Sequence, residues 1–235
     1  MPGNRFCAKS VLFLIKKRKK HISPWINRFY WYIRTGNTKH FVLLEENGEE
    51  KMKKLISSLA ILACTSFATA DVIWDQIGAM DGSNLDGSIG ASQAFEEAFG
   101  IYNIVAMDDF SVDATTDLNS VSAILNGWNG YAGPDGVLGY YVHVYSSVDA
   151  AGADLAGDVI SIYLDAAAGD PGISYNADWT GAGDMVTLDL SGFSLDAGSY
   201  MIAVQANNEF GGNGQTGIMS SDLGNSDGWQ ANPAG

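Results

Sequence analysis

The chain has 235 residues, with 13 Lys and Arg, 27 Asp and Glu, and a formal net charge of −14 at pH 7. That sum hides a partition: every Lys and Arg lies between Arg5 and Lys54, and Glu45, Glu46, Glu49 and Glu50 lie there too, so residues 71–235 carry 27 − 4 = 23 acids and no Lys or Arg. A surface near −23 repels phosphate polymers and anionic lipid, whose contacts are built on Lys and Arg, which excludes nucleic-acid and peripheral membrane roles for that part.

Residues 1–51 are basic and aromatic, with KKRKK at 16–20 and WINRFYWYIR at 25–34. Residues 48–52, GEEKM, back-translate to a purine-rich run before an ATG codon, as a bacterial ribosome-binding site would read. Met52 is therefore the expected start, and 1–51 a mis-translated, disordered leader. The alternative is a cytoplasmic extension anchored by 55–63, but nine apolar residues are too few to span a bilayer. Residues 52–70 read as a signal peptide: Lys53 and Lys54 precede the apolar run, and Ala68, Thr69 and Ala70 form a small-x-small cleavage site. Cleavage after Ala70 would release a secreted or cell-surface bacterial domain with no membrane span. Ile61, Leu62 and Ala63 before Cys64 loosely resemble a lipoprotein processing site, so lipidation at Cys64 is a competing expectation. Cys7 and Cys64 are the only cysteines. The domain after residue 70 thus has no disulfide and is held by packing, for which its length suffices.

From Asp71 the texture changes to short β-prone runs between Gly, Asp, Asn and Ser. The spacing predicts a first strand at 72–76, then a loop, MDGSNLDGSIG, marked by two Asp-Gly steps. Residues 91–99 fit one or two helical turns, with Ala94, Phe95, Ala98 and Phe99 on one face, or a strand. Strands are predicted at 104–112 and 118–126, the second pointing Val121, Ala123 and Leu125 inward and leaving Ile124 outside. The Gly-rich loop 127–136 feeds a strand at 139–146 with Val142 and Val144 on one face and Tyr141, His143 and Tyr145 on the other. After small residues at 149–157, strands follow at 159–164, 173–175, 185–190, 200–207 and 215–220. Within 200–207 the residues Tyr200, Ile202, Val204 and Ala206 form an inward row. Residues 229–235 read as loop, and the abrupt end points to truncation at the C-terminus. These elements predict an all-β fold, an antiparallel β-sandwich of jelly-roll type, over 71–235.

The succession SQAFE, MDDFSV, NGWNGY, VHVYSS, AGADLAGDV and GSYMIAVQ with GQTG resembles a group of secreted bacterial β-sandwich proteins, covering about 72–233. Members often carry a C-terminal sorting or dockerin-like anchor, which is missing from this sequence. The resemblance implies an exported sandwich and no particular activity, and it transfers no functional residue.

His143 is the only histidine after residue 70, where Cys and Lys are absent, so triad, Cys-His, Schiff-base and zinc chemistry have little material. A glycosidase needs two acids, but with so many the sequence nominates no pair. Calcium suits Asp-rich loops, with Asp81, Asp86, Asp108, Asp109, Asp222 and Asp227 as candidate ligands. None completes an EF-hand: Leu85 stands at the third ligand position of the first run, and the last has the wrong spacing. GGNG at 211–214 begins like a calcium-binding nonapeptide, but Thr216 replaces the needed Asp. For glycans, Trp128 and Tyr131 in the loop and a Tyr141, His143, Tyr145 stripe, about 6 to 7 Å per step, are the candidates. The plain reading is that these rings are a second core layer and a plug at the sandwich end.

The expectation is a non-enzymatic extracellular or cell-surface interaction module that binds polysaccharide or cell-surface glycan with calcium support. The alternatives are a structural envelope or matrix component, or a carbohydrate-active hydrolase. Without Lys or Arg, the carboxylates depend on water, backbone amides and dissolved cations, so the melting temperature should rise with salt or millimolar calcium. Equal melting in dilute buffer, salt and calcium would contradict this. A general acidic surface, as in proteins of saline habitats, would give the salt response without any specific ion site.

Overall fold

The structure, a computed structural model, describes residues 4–6, 13–18, 33–35, 38–40, 70–225 and 227–235, with side chains from residue 71 onward. The signal segment up to Thr69, including Cys64, lies outside the described residues, as does most of the leader. The chain divides into two compact units, Met1–Arg18 with Ala70–Gly235, and Lys19–Thr69. The first unit begins with strands β1 (Asn4–Phe6) and β2 (Phe13–Arg18). In the second unit β3 (Ile33–Thr35) and β4 (Thr38–His40) pair antiparallel.

The rest of the first unit supplies β5 (Ala70–Asp75), β6 (Leu85–Ala91), β7 (Gln93–Ala94), β8 (Val105–Val112), β9 (Thr116–Trp128), β10 (Gly139–Tyr145) and β11 (Ile160–Leu164). It continues with β12 (Ile173–Tyr175), β13 (Asp184–Asp189), β14 (Ser194–Leu195), β15 (Gly198–Asn207), β16 (Gln215–Ser221) and β17 (Gly228–Ala231). One sheet runs β1-β17-β8-β15-β10-β11, with β7 parallel to the end of β15. The other runs β12-β13-β9-β16-β6, with β14 on the start of β9 and β2 between β9 and β5. All other pairings are antiparallel, and the two sheets pack as a β-sandwich. No helix among the described residues is long and apolar enough to cross a membrane.

Alternation explains the packing. In β15, Ile202, Val204 and Ala206 face the interior beside Val142 and Val144 of β10, while Val121, Ala123 and Leu125 of β9 and Val186 and Leu188 of β13 close it from the other sheet. Each fully buried aliphatic of this kind is worth about 1.5 to 3 kcal/mol relative to exposure. The opposite face of the first sheet carries a smaller core of Val105, Met107, Tyr145, Met201, Ala203 and Ala231, covered by Ala151 of the short helix Val148–Ala153.

Three expectations change, and the small-residue stretch, for which no element is expected, gains one. The second Asp-Gly step lies within β6: the register against β16 shifts between Met219 and Ser221, and Gly87 sits at φ 82°, so the signal read as a loop is a β-bulge. Residues 228–231 form a strand, not a loop, because Trp229 pairs with Met107 and Ala231 enters the smaller core. The small residues after Ser147 form a helix whose first turn is capped, the Ser147 Oγ accepting from Ala150 N–H at 3.2 Å. Ile124 is fully buried beside its ladder partner Met185, so the second sheet is apolar there on both faces.

Candidate binding site

The aromatic residues singled out in the sequence do not form one surface. Tyr141, His143 and Tyr145 do share a face of β10, with ring centroids 5.6 Å apart for the first pair and 5.9 Å for the second. Tyr145 is nonetheless fully buried under the helix Val148–Ala153 and donates its hydroxyl to Leu155 O at 2.6 Å. His143 is also buried, and burial pushes its pKa down to about 4 against the smaller opposing pulls of the Gln205 side chain and Asp154. The ring is therefore neutral at pH 7. Tyr141 stays half-buried, 4.7 Å from the exposed Tyr163 across the ladder. Trp128 ends β9 half-buried, and Tyr131 packs against the main core with its hydroxyl enclosed beside Asp184 but not hydrogen-bonded to it.

Ser161 Oγ lies 3.1 Å from His143 Nδ1, the nearest approach to a nucleophile and base. The same nitrogen receives the Gly157 N–H at 3.4 Å, and Nε2 is buried with no hydrogen-bond partner, so no carboxylate orients the ring.

The candidate metal ligands are dispersed. Asp81 is exposed and accepts from Ser83 N–H, which holds its carboxyl below the usual range. Asp86 accepts from Ser88 N–H and from Ser220 Oγ–H at the bulge. Asp108 and Asp109 are neighbours on a strand, so their side chains point to opposite faces and do not close on one ion. Asp109 accepts from Asn225 Nδ2, and Asn225 Oδ1 in turn accepts from Asp227 N–H, which links Asp109 to the loop that holds Asp222. Among the described residues no three His, Cys, Asp or Glu side chains gather as a metal site.

Asp108 itself faces the main core. Its Oδ1 accepts from Asp109 N–H, while its Oδ2 and both amide atoms of the buried Gln76 have no hydrogen-bond partner. The Gln76 amide is close enough to favour the charged carboxyl slightly, but burial dominates and pushes Asp108 up to about 8.

The most exposed cluster of large apolar side chains lies elsewhere. Parallel pairing of Ala94 with Asn207, reinforced by Asn208 N–H donating to Ala94 O at 3.0 Å, sends the chain outward at two places side by side. One arm is a 3-10 turn, Glu97–Tyr102, folded back where Phe95 N–H donates to Asn103 Oδ1 at 2.8 Å. The other is the helical turn Phe210–Asn213. Glu96 Oε2 joins them by accepting Phe210 N–H at 2.9 Å. Four rings then close a circuit: Phe95 to Tyr102 at 6.5 Å, Tyr102 to Phe99 at 6.4 Å, Phe99 to Phe210 at 6.2 Å, and Phe210 back to Phe95 at 6.4 Å. They line a concavity of about 370 Å³ with Ala91, Ile104 and Gln215. Phe99, Tyr102 and Phe210 are 41%, 54% and 40% exposed, and Ile101 beside them 59%.

Three glutamates flank the cup in the chain. Glu96, Glu97 and Glu209 are the only glutamates after residue 70, the other 20 acids being aspartates, and all three adjoin this cup in the chain. A larger groove of about 540 Å³ contains Asp135, Asp170 and one ring, Tyr175, whose hydroxyl is tied to Tyr140 at 2.9 Å. The cup is not legible in the sequence, although Phe95 and Phe99 fall on one face there; the glutamates, confined to two short stretches, are the signal nearest to it.

Compared with known proteins, the chain matches no family model, no curated protein and no solved structure.

Proposed function

We propose that residues 71–235 act as an exported, non-catalytic interaction module of the cell surface or extracellular medium, with the Phe95, Phe99, Tyr102 and Phe210 cup as its contact site. The exposed four-ring circuit carries this reading. Large aromatic side chains are normally drawn inward or onto contact surfaces, where they contribute area at low entropic cost. Three of these rings are held open to solvent on arms that hydrogen bonds fix in place. Export rests on the basic, apolar and small-residue succession of residues 52–70. Calcium enters only as a counter-ion for the dense carboxylates.

Glycan binding has one observation of its own, the Tyr141 and Tyr163 pair on the outer face of the first sheet, where Asn207 Nδ2 donates to the Tyr163 hydroxyl at 3.1 Å. Retention of the full chain on immobilised polysaccharides, basic peptides and alkylammonium resins separates the two. The expected outcome is retention on at least one surface that Phe99→Ala with Phe210→Ala abolishes. Retention that survives the double variant but is lost in Tyr163→Ala would move the function to the tyrosine pair.

A further inference from the structure

Resting on the reading of the cup as a contact site, we propose that the cup is a receptor for the quaternary ammonium group of a small soluble compound. The charge of the domain sets the sign of the ligand, since residues 71–235 hold 23 acids against no Lys or Arg. The rings set its shape. Edges of 6.2 to 6.5 Å keep the middle of the circuit nearer to every centroid than one edge length, close to the limit of about 6 Å for a cation over a ring face.

The rings are mutually inclined, at 71°, 34°, 64° and 43° around the circuit, so no two neighbours form the parallel walls of a slot. A flat guanidinium stacks best between parallel faces, whereas a rounded alkylammonium fills a cup. The lining then distinguishes among ammonium groups. Apart from the Tyr102 hydroxyl and the Gln215 amide, whose Oε1 already accepts from Asn129 Nδ2, the walls are hydrocarbon. A primary ammonium brings three N–H donors that need partners and would leave them unpaired, and a sugar brings several hydroxyls with the same need. An N-methylated cation brings none. The glutamates that flank the two arms, none of which lines the apolar floor, attract the cation and disfavour a phosphate attached next to it. That argues for a free compound over a phospholipid head group, since the lining of the cup offers no Lys or Arg to meet the phosphate.

Calorimetric titration of the full chain with choline and with 3,3-dimethyl-1-butanol, its neutral isostere, tests this directly. Choline should bind at least about tenfold more tightly, more weakly at high salt, and more tightly than phosphocholine or phosphatidylcholine vesicles. Glu97→Gln, at the exposed start of the 3-10 turn, should weaken choline severalfold while leaving the alcohol unchanged. Equal binding of choline and the alcohol would overturn the cation proposal while leaving the cup as a contact site. Binding to phosphatidylcholine vesicles as tight as to choline would overturn the soluble source. Binding of neither compound would overturn the proposal, and the loss or survival of retention in the Phe99→Ala with Phe210→Ala variant then decides the contact reading separately.

Discussion

Asp108→Asn is expected to stabilise the protein at pH 7 to 8 and to leave its stability nearly unchanged at pH 4. Asp108 lies on the inward face of β8 with Oδ2 unpartnered, and burial raises its carboxyl from 3.8 to about 8. Between those values the folded chain holds a proton that the unfolded chain releases. The contribution is therefore fully present below pH 3.8 and is lost as pH rises through 8. The slope is about 1.4 kcal/mol per pH unit, so the loss reaches about 4 kcal/mol by pH 7 as an order of magnitude. Asparagine has the same shape and no charge. Its Oδ1 keeps the bond from Asp109 N–H, and the nearby Gln76 amide, with donor and acceptor both unpartnered, remains beside an uncharged group.

His143 shifts in the opposite sense. Its folded pKa near 4 against 6.5 means that its contribution is present above pH 6.5 and is lost as pH falls toward 4. From pH 4 to 6.5 the two residues offset each other, and from 6.5 to 8 Asp108 acts alone. Of these two contributions, the native chain should show little net slope over the lower range and a decline above it, while Asp108→Asn should rise to pH 6.5 and then level. Denaturant midpoints measured across pH 4 to 8 check this. Parallel curves for the two proteins would show that Asp108 is not held protonated in the folded state.

Gly157→Ala is expected to lower the melting temperature by roughly 10 °C or more, on a scale where 1 kcal/mol corresponds to about 2 to 4 °C for a domain of this size. A Cβ at this position would lie 2.0 Å from Ile160 O, 2.7 Å from Val144 O and 2.9 Å from Val144 N. All three are backbone atoms of the paired strands β10 and β11, where Val144 faces Ile160. No side-chain rotation relieves the contact, so the ladder must open at its end, and the Gly157 N–H to His143 Nδ1 contact is lost with it. Gly211→Ala, with open space around its Cβ, is the control and should melt like the native protein. Equal melting of the two variants would refute the close approach.

The sandwich was legible wherever one face of a strand is apolar. The row Tyr200, Ile202, Val204 and Ala206 and the opposed valines and aromatics of β10 follow from a period of two that burial enforces. Local turn chemistry misled where a ladder overrode it, as at Asp86-Gly87, because a bulge uses the same residues as a turn. Adjacent acids looked like a ligand pair at Asp108 and Asp109, yet strand alternation sends one into the core and the other to Asn225. The stripe Tyr141, His143, Tyr145 was read correctly as a stripe. Its accessibility was not readable, because the helix Val148–Ala153 that covers Tyr145 arises from residues with weak patterning. The cup was hidden for a different reason. Phe95 and Phe210 meet only because Ala94 pairs with Asn207, a contact between distant parts of the chain that no local pattern encodes.

The central claim is that the four rings form an open site and are not a plug that completes the core. Its most direct test is an aromatic NMR titration of the phenylalanine-labelled full chain with choline and 3,3-dimethyl-1-butanol. The expected result is that the ring signals of Phe95, Phe99 and Phe210 move with at least one compound, while those of the core ring Phe110 and the distant Phe193 stay in place. Unchanged signals for all three cup rings at saturating concentrations of both compounds would contradict the account.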